Sequence, residues 1–338
     1  MTTPPSADRI QSLAYGFMAS KVLFSAIEFG LFAELAKESM DAAEVQKRCG
    51  LHPRAVRDFL DTLVALGMLE RRGEVYSNTS ETEFYLDRGK PTYIGHYIEI
   101  QSLRSYQLFG KLSDALRTGE TQNEIKSGDE DWVDAMYRTP ERLRMFLRGM
   151  TGHSLPSAMA IAQKFPWENY RTFADIGTAE GCLPVQVAME HPHLMGEGFD
   201  LPAVRPFFEE YVASFRLQDR VKFRLGDFFK DSLPAADVLV MGMILHDWNL
   251  DLKMTLLKKA YDSLPRGGAL IVYEHLIDDE RRKNVNSLLM SLLMLVETQG
   301  GFDYTGADCC RWMREAGFSE TRVEQLTGVE SMVIGIKS

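Results

Sequence analysis

The stretch Phe173-Ala174-Asp175-Ile176-Gly177-Thr178-Ala179-Glu180-Gly181 constrains the fold of this chain more than any other. A short apolar run stops at a glycine-bearing turn, and helical spacing resumes at Leu183. A strand that feeds a helix through such a turn marks a nucleotide-type crevice at the carboxyl end of a parallel strand. The glycine spacing narrows the ligand. A dinucleotide fingerprint puts glycines at its first, third and sixth positions, so that the backbone can approach a pyrophosphate. Here Ala179 stands at the third position, and the pattern is Asp-x-Gly-x-x-x-Gly. The turn therefore suits a nucleoside cofactor without a phosphate. S-adenosylmethionine, a nucleoside with an amino-acid tail, meets that description.

The rest of the C-terminal half repeats the same unit. Strands are predicted over 173–176, 196–200, 221–225, 236–241 and 269–274, with helices over 183–190, 204–214 and 251–263. Such alternation implies an α/β fold, a Rossmann-like parallel sheet covered by helices on both faces. The last two strands, 321–326 and 331–336, are joined near Gly328 as a hairpin, so one of them must run antiparallel.

The N-terminal half reads differently. Residues 10–37 predict two helices broken near Ser20 or Gly30. Asp41 predicts an N-cap with Glu44 three residues on, Gly50 ends that helix, and Pro53 opens the next. Residues 71–76 predict a small hairpin, which completes a winged-helix module. Residues 93–162 read as almost wholly helical. Their aromatics and methionines (Tyr97, Tyr106, Phe109, Trp132, Met136, Tyr137, Met145, Phe146, Met150) are expected mostly in the core, with a minority lining an apolar pocket. The expected division is a winged-helix domain over 1–92, a helical linker over 93–165 and a catalytic domain over 166–338.

Charge then weighs against nucleic acid and anionic membranes as partners. The net charge is −10. Bases and acids nearly balance across the winged helix, and Asp58 and Asp61 sit on its second helix, where phosphates would repel them. A structural or dimerisation role is the expectation there. The run Leu288–Val296 is too short to span a bilayer. The start of the chain, with Pro4-Pro5 and no apolar run behind a basic region, does not read as a secretory signal. The four cysteines form no Cys-x-x-Cys pair, which predicts no disulfide scaffold and a reducing cytoplasm. His191 and His193 read as surface residues, and no metal is expected.

Open α/β sheets bind ligands beyond the carboxyl ends of their strands. The second strand ends at Asp200, where a carboxylate can accept both hydroxyls of a ribose. The third ends at Gly226-Asp227-Phe228. Asp227 is a candidate acceptor from an adenine amine, or else a turn cap, and Phe228 a platform for the ring. The fourth leads to Leu245-His246-Asp247-Trp248. An imidazole ordinarily titrates near neutrality, which makes His246 the candidate base for an acceptor hydroxyl. Glu274, at the end of the fifth strand, is the expected partner that orients His246, and Asp303 a second candidate.

These residues resemble a family. The chain looks like the S-adenosylmethionine-dependent O-methyltransferases related to hydroxyindole and plant small-molecule O-methyltransferases, over nearly its whole length. Asp175, Gly177 and Gly181 match the family's glycine turn, although Thr178 and Ala179 replace its middle glycines. Asp200-Leu201-Pro202, Gly226 to Phe229, Leu245 to Trp248 and Pro265-Arg266-Gly267-Gly268 match its other motifs. The resemblance implies a class I methyltransferase sheet preceded by a dimerisation domain. It implies a cofactor site of Asp175, Gly177, Gly181, Asp200, Leu201, Gly226, Asp227 and Phe228, with His246 as base flanked by Glu274 and Asp303. It also implies a homodimer, with residues near Phe17 or Phe24 capping the partner's pocket. The acceptor it implies is a small, flat hydroxylated molecule (a phenol, hydroxyindole, flavonoid, polyketide or hydroxylated pyrrole) of pigment or antibiotic pathways, prodigiosin-type hydroxy-bipyrrole methylation being one such case, with Met290, Met294 and Trp248 around its ring. Two departures stand out: Gly242 replaces a lysine often found four residues before the histidine, and the spacing before Asp303 is one residue longer. A ligand-sensing winged-helix regulator and a C- or N-methyltransferase are the alternative readings.

Overall fold

The computed structural model describes residues 5–123, 137–328 and 330–338. Trp132 and Met136 lie outside the described residues. The chain forms two compact units, one up to Arg104 and one from Ser105. The segment 93–165 is thus divided between the units: its long helix belongs to the second, where it packs on the first helix of the α/β fold.

In the first unit, α1 (Asp8–Glu28) and α2 (Leu31–Lys37) are separated at Gly30, whose left-handed φ of 67° breaks the helix, while Ser20 lies inside α1. Met40–Asp41 forms β1, and the Asp41 carboxylate then caps α3 (Ala42–Cys49) by accepting the Glu44 N–H at 2.9 Å. Helix α4 (Val56–Ala65) begins three residues later than Pro53 predicts. The His52 imidazole and carbonyl instead accept the Arg54 and Ala55 N–H groups and hold that proline in a turn. Strands β2 (Leu69–Arg72) and β3 (Val75–Asn78) make the wing, with β1 added beside β3. Arg71 on the wing is paired with Asp61 of α4 at 2.6 Å. The unit closes with α5 (Ser80–Tyr85) and α6 (Gly95–Ile100). Helix α1 exposes Ile10, Leu13, Tyr15, Phe17 and Met18. By length and composition it is long and apolar enough to cross a membrane, whereas the apolar helix that contains Leu288–Val296 is shorter.

The second unit begins with short helical turns and α7 (Leu112–Thr118). Helix α8 (Pro140–Lys164) is capped by Thr139 and opened by Pro140. A seven-stranded sheet follows, in the order β6-β5-β4-β7-β8-β10-β9. Its strands are β4 (Thr172–Ile176), β5 (Met195–Asp200), β6 (Val221–Leu225), β7 (Val238–Gly242), β8 (Ala269–His275), β9 (Glu320–Thr327) and β10 (Glu330–Ile336). β4 to β8 are parallel, and β10 runs antiparallel between β8 and β9.

Every residue of β8 is buried, as expected of a parallel strand covered on both faces. Along β7 the faces alternate. Val238 and Val240 pack with Ala158 of α8 and with Leu183 and Val187 of α9 (Cys182–Glu190). Leu239 and Met241 pack with Leu256 of α11 (Leu250–Ser263) and Trp312 of α13 (Gly306–Ala316). The remaining helices are α10 (Arg205–Ser214) and α12 (Val285–Glu297). Each βα crossover leaves its strand at the same sheet edge, so the carboxyl ends of β4, β5, β6 and β7 open onto one cavity.

Candidate active site

That cavity has a volume of about 450 Å³ and lies wholly within the second unit, within the range that holds a small ligand. Of the residues predicted for a cofactor, Asp175, Gly177, Asp200, Leu201, Gly226, Asp227 and Phe228 line it. Gly181 does not. It caps α9 at φ 89°, and a Cβ there would lie 2.7 Å from the Phe208 ring, so this glycine serves the turn and its close packing.

The unusual centre of the turn is explained by three ties. Thr178 Oγ1 donates to Asp175 Oδ2 at 2.8 Å, the Ala179 N–H donates to Asp200 Oδ2 at 2.9 Å, and Thr151 Oγ1 of α8 donates to Glu180 Oε2 at 2.9 Å. Ala179 adopts a left-handed φ of 52° to make its contact, a conformation that costs a non-glycine residue about 1 kcal/mol or more. The bonds that flank it hold it there. Burial raises the Asp175 carboxyl to about 7, against the Thr178 bond that lowers it. Burial likewise raises Asp200 to about 6, offset by the Ala179 and Leu201 N–H groups and by the Tyr137 hydroxyl. Asp227 both lines the cavity and caps its own turn: it accepts the Phe229 N–H at 2.8 Å and pairs with Lys230.

The histidine follows from the strand end. β7 stops at Gly242, Met243 turns at φ 52°, and a 3₁₀ turn carries Leu245, His246 and Asp247. Glu274 takes a different place from the one expected. Fully buried beneath this turn, its Oε1 accepts the backbone N–H groups of Ile244, Leu245 and His246 at 3.2, 2.7 and 3.1 Å. A carboxylate at the start of a helical turn satisfies donors that have no partner within the turn. Glu274 therefore fixes the backbone of His246, not its ring.

The ring's partner is Asp303, with Oδ1 3.2 Å from His246 Nδ1. The chain turns before it at Gly300, with a left-handed φ of 94°, and the Phe302 N–H donates to the His246 carbonyl at 2.8 Å. His246 Nε2 lies 3.6 Å from Asp247 Oδ1. His246 is itself buried beside the cavity, whereas its neighbours Ile244, Asp247 and Trp248 line it. Burial pushes the imidazole down, but the carboxylates of Asp247 and Asp303, and more weakly Glu274, outweigh it and lift the pKa to about 10.

One further expectation is corrected, and two groups of residues had little or no signal in the sequence. Met290 and Met294 sit on α12, half-buried and buried, and neither lines the cavity, because their helix packs instead beside the Asp303 segment. His153 and His275, not singled out from the sequence, are buried: their Nε2 atoms are 3.2 Å apart, and His275 Nε2 lies 3.3 Å from Glu330 Oε1. Finally, Tyr137, Ser154 and Tyr273 line the cavity. Tyr137 was legible only as one aromatic among many, and the other two carried no signal.

Comparison with known proteins identifies the arrangement. An O-methyltransferase domain matches residues 109–319, and an O-methyltransferase dimerisation domain matches residues 11–88. The chain belongs to the S-adenosylmethionine-dependent O-methyltransferase family. It is 41% identical over 335 residues to the tetracenomycin polyketide synthesis 8-O-methyl transferase of Streptomyces glaucescens, covering 97% of this chain and 96% of the relative. It is 37% identical over 298 residues to an N,N-dimethyltransferase of Streptomyces rimosus, covering 86% of each. Human N-acetylserotonin methyltransferase, solved in complex with S-adenosylmethionine, superimposes with a TM-score of 0.89 at 28% identity, covering 100% of this chain and 99% of that one.

In this O-methyltransferase the missing lysine has a structural counterpart. A Cβ at Gly242 would lie 2.0 Å from the Tyr273 ring, so Tyr273 fills the space that a side chain at 242 would need. The dimerisation domain, which supports a homodimer, includes most of α1 with its exposed apolar side chains Leu13, Tyr15, Phe17 and Met18.

Proposed function

We propose that the enzyme methylates a hydroxyl of a fused aromatic, polyketide-type acceptor, with His246 as the general base. The observation that carries the reading is the His246–Asp303 contact. With Nδ1 held by the Asp303 carboxylate, the ring presents Nε2 as its proton acceptor. Asp303 also stabilises the imidazolium that forms. The base is worth roughly 10²–10⁴-fold, and alignment of oxygen and methyl supplies further rate.

S-adenosylmethionine supplies an electrophilic methyl on a sulfonium. The chain's residues suit it: Asp200 for the ribose hydroxyls, Asp227 and Phe228 for the adenine, and Asp175 with Gly177 at the glycine turn. Each carboxylate oxygen that already accepts one N–H or O–H has a second lone pair left for the cofactor.

The Streptomyces glaucescens relative, named for a polyketide, and a Streptomyces sahachiroi relative, named for O-methylation of a hydroxynaphthoate, support a fused phenolic acceptor over a hydroxy-bipyrrole. The Streptomyces rimosus relative supports a second reading, an amine acceptor. Incubation with S-adenosylmethionine and a panel of acceptors, read by mass spectrometry, separates them. A gain of one methylene unit on polycyclic phenols, ahead of a hydroxy-bipyrrole aldehyde and an aryl amine, is the expected result. Methylation of the amine alone contradicts the proposal.

A further inference from the structure

Lys253, on the first turns of α11, has no exposed surface, and it is the one lysine or arginine that is buried among the described residues. Its Nζ donates to the carbonyl of Trp248 at 2.5 Å and to that of Phe302 at 3.1 Å. The first carbonyl lies two residues after His246 and the second immediately before Asp303. The ammonium also sits 3.6 Å from the centre of the Phe302 ring, a contact that gains strength away from water. One side chain thus bridges the two backbone segments that bring the imidazole and its carboxylate together.

The charges around it point the same way. Asp247, Glu274 and Asp303 surround His246, and the same three carboxylates act on Lys253. Cys309 of α13 also faces the lysine, and His153 of α8 faces His246. Burial pulls the lysine down to about 8, opposed by those carboxylates, so it remains largely charged at neutral pH. Three carboxylates favour a proton on the imidazole, and a positive charge beside them weakens that pull.

We propose that Lys253 is a positioning residue of methyl transfer, which fixes the His246–Asp303 geometry and supplies a positive charge that partly offsets the carboxylates around His246. The inference rests on His246 being the base. It is tested in the full-length enzyme with Lys253→Met, Lys253→Gln and Lys253→Arg, with His246→Gln as control. The pH dependence of kcat and the KM for S-adenosylmethionine are measured in each. Gln keeps an N–H donor without the charge, and Arg keeps the charge.

In both neutral variants the acid limb of kcat is expected to move up by roughly one pH unit, the scale of a nearby charge. Turnover then falls about tenfold near neutrality and recovers at higher pH, while the KM for S-adenosylmethionine changes little. Arg retains the parent's limb. An unshifted limb in the neutral variants, or an equal loss at every pH in all three, overturns the proposal. So does a fold that survives only in the Arg variant, since Lys253 would then serve the core alone. Near-normal turnover in His246→Gln would instead overturn the base assignment, a separate failure.

Discussion

Replacing His246 with glutamine is expected to lower turnover by roughly 10²–10⁴-fold while leaving the affinity for S-adenosylmethionine within a few-fold. Glutamine fills much of the same volume and leaves the backbone bonds from Ile244, Leu245 and His246 to Glu274 in place. What it removes is a group that can gain a proton. The cavity-lining cofactor candidates lie on other strand ends, so binding should survive. The pH dependence has a definite sign. The imidazole must be neutral to act, and its pKa is raised well above the ordinary histidine value. Activity should therefore climb with pH on the alkaline side of neutrality. Single-turnover rates together with calorimetry of cofactor binding separate the two effects, and near-parental turnover in the variant would remove His246 from the mechanism.

Asp200→Asn is expected to do the reverse and strike binding. A carboxylate that accepts hydrogen bonds from ribose hydroxyls is worth about 1.5–3 kcal/mol per bond, so the Kd for S-adenosylmethionine should rise by roughly 10–100-fold. The same carboxylate accepts the Ala179 and Leu201 N–H groups at 2.9 and 2.7 Å, and the substitution also disturbs the glycine turn. Thermal melts without ligand are the control. A variant that melts like the parent but binds weakly locates the loss in the ribose contact, whereas unchanged affinity removes Asp200 from the cofactor site.

The sheet was legible because strand ends in an α/β fold are punctuated. Gly177 and Gly242 mark the ends of buried apolar runs, Asp200 and Gly226-Asp227 the ends of more mixed strands, and all of them line the cavity. The roles of the acids were harder to read. Sequence places Glu274 on the strand beside His246 but cannot say whether its oxygens reach the ring or the backbone, because that depends on the path of residues 243–246. The left-handed Met243 decides it by turning three N–H groups toward Glu274. Asp303 lies in the segment after α12, and its approach to the ring depends on the turn at Gly300. Lys253 carried no signal at all. A lysine four residues before Leu257 reads as solvated, and only the packing of α11 against Phe302 buries it. The same limit hid His153 and His275, which meet across helix and strand.

The central claim is transfer of the methyl of S-adenosylmethionine to an acceptor oxygen in this cavity. The most direct measurement is a reaction with cofactor carrying a carbon-13 methyl and a polycyclic phenol, with the labelled carbon located in the product by NMR. The account predicts a methoxy carbon coupled to the ring carbon that bore the hydroxyl, formed by the parent enzyme and nearly absent with His246→Gln. Label found on ring carbon or on nitrogen, or formed equally well by both proteins, would contradict it.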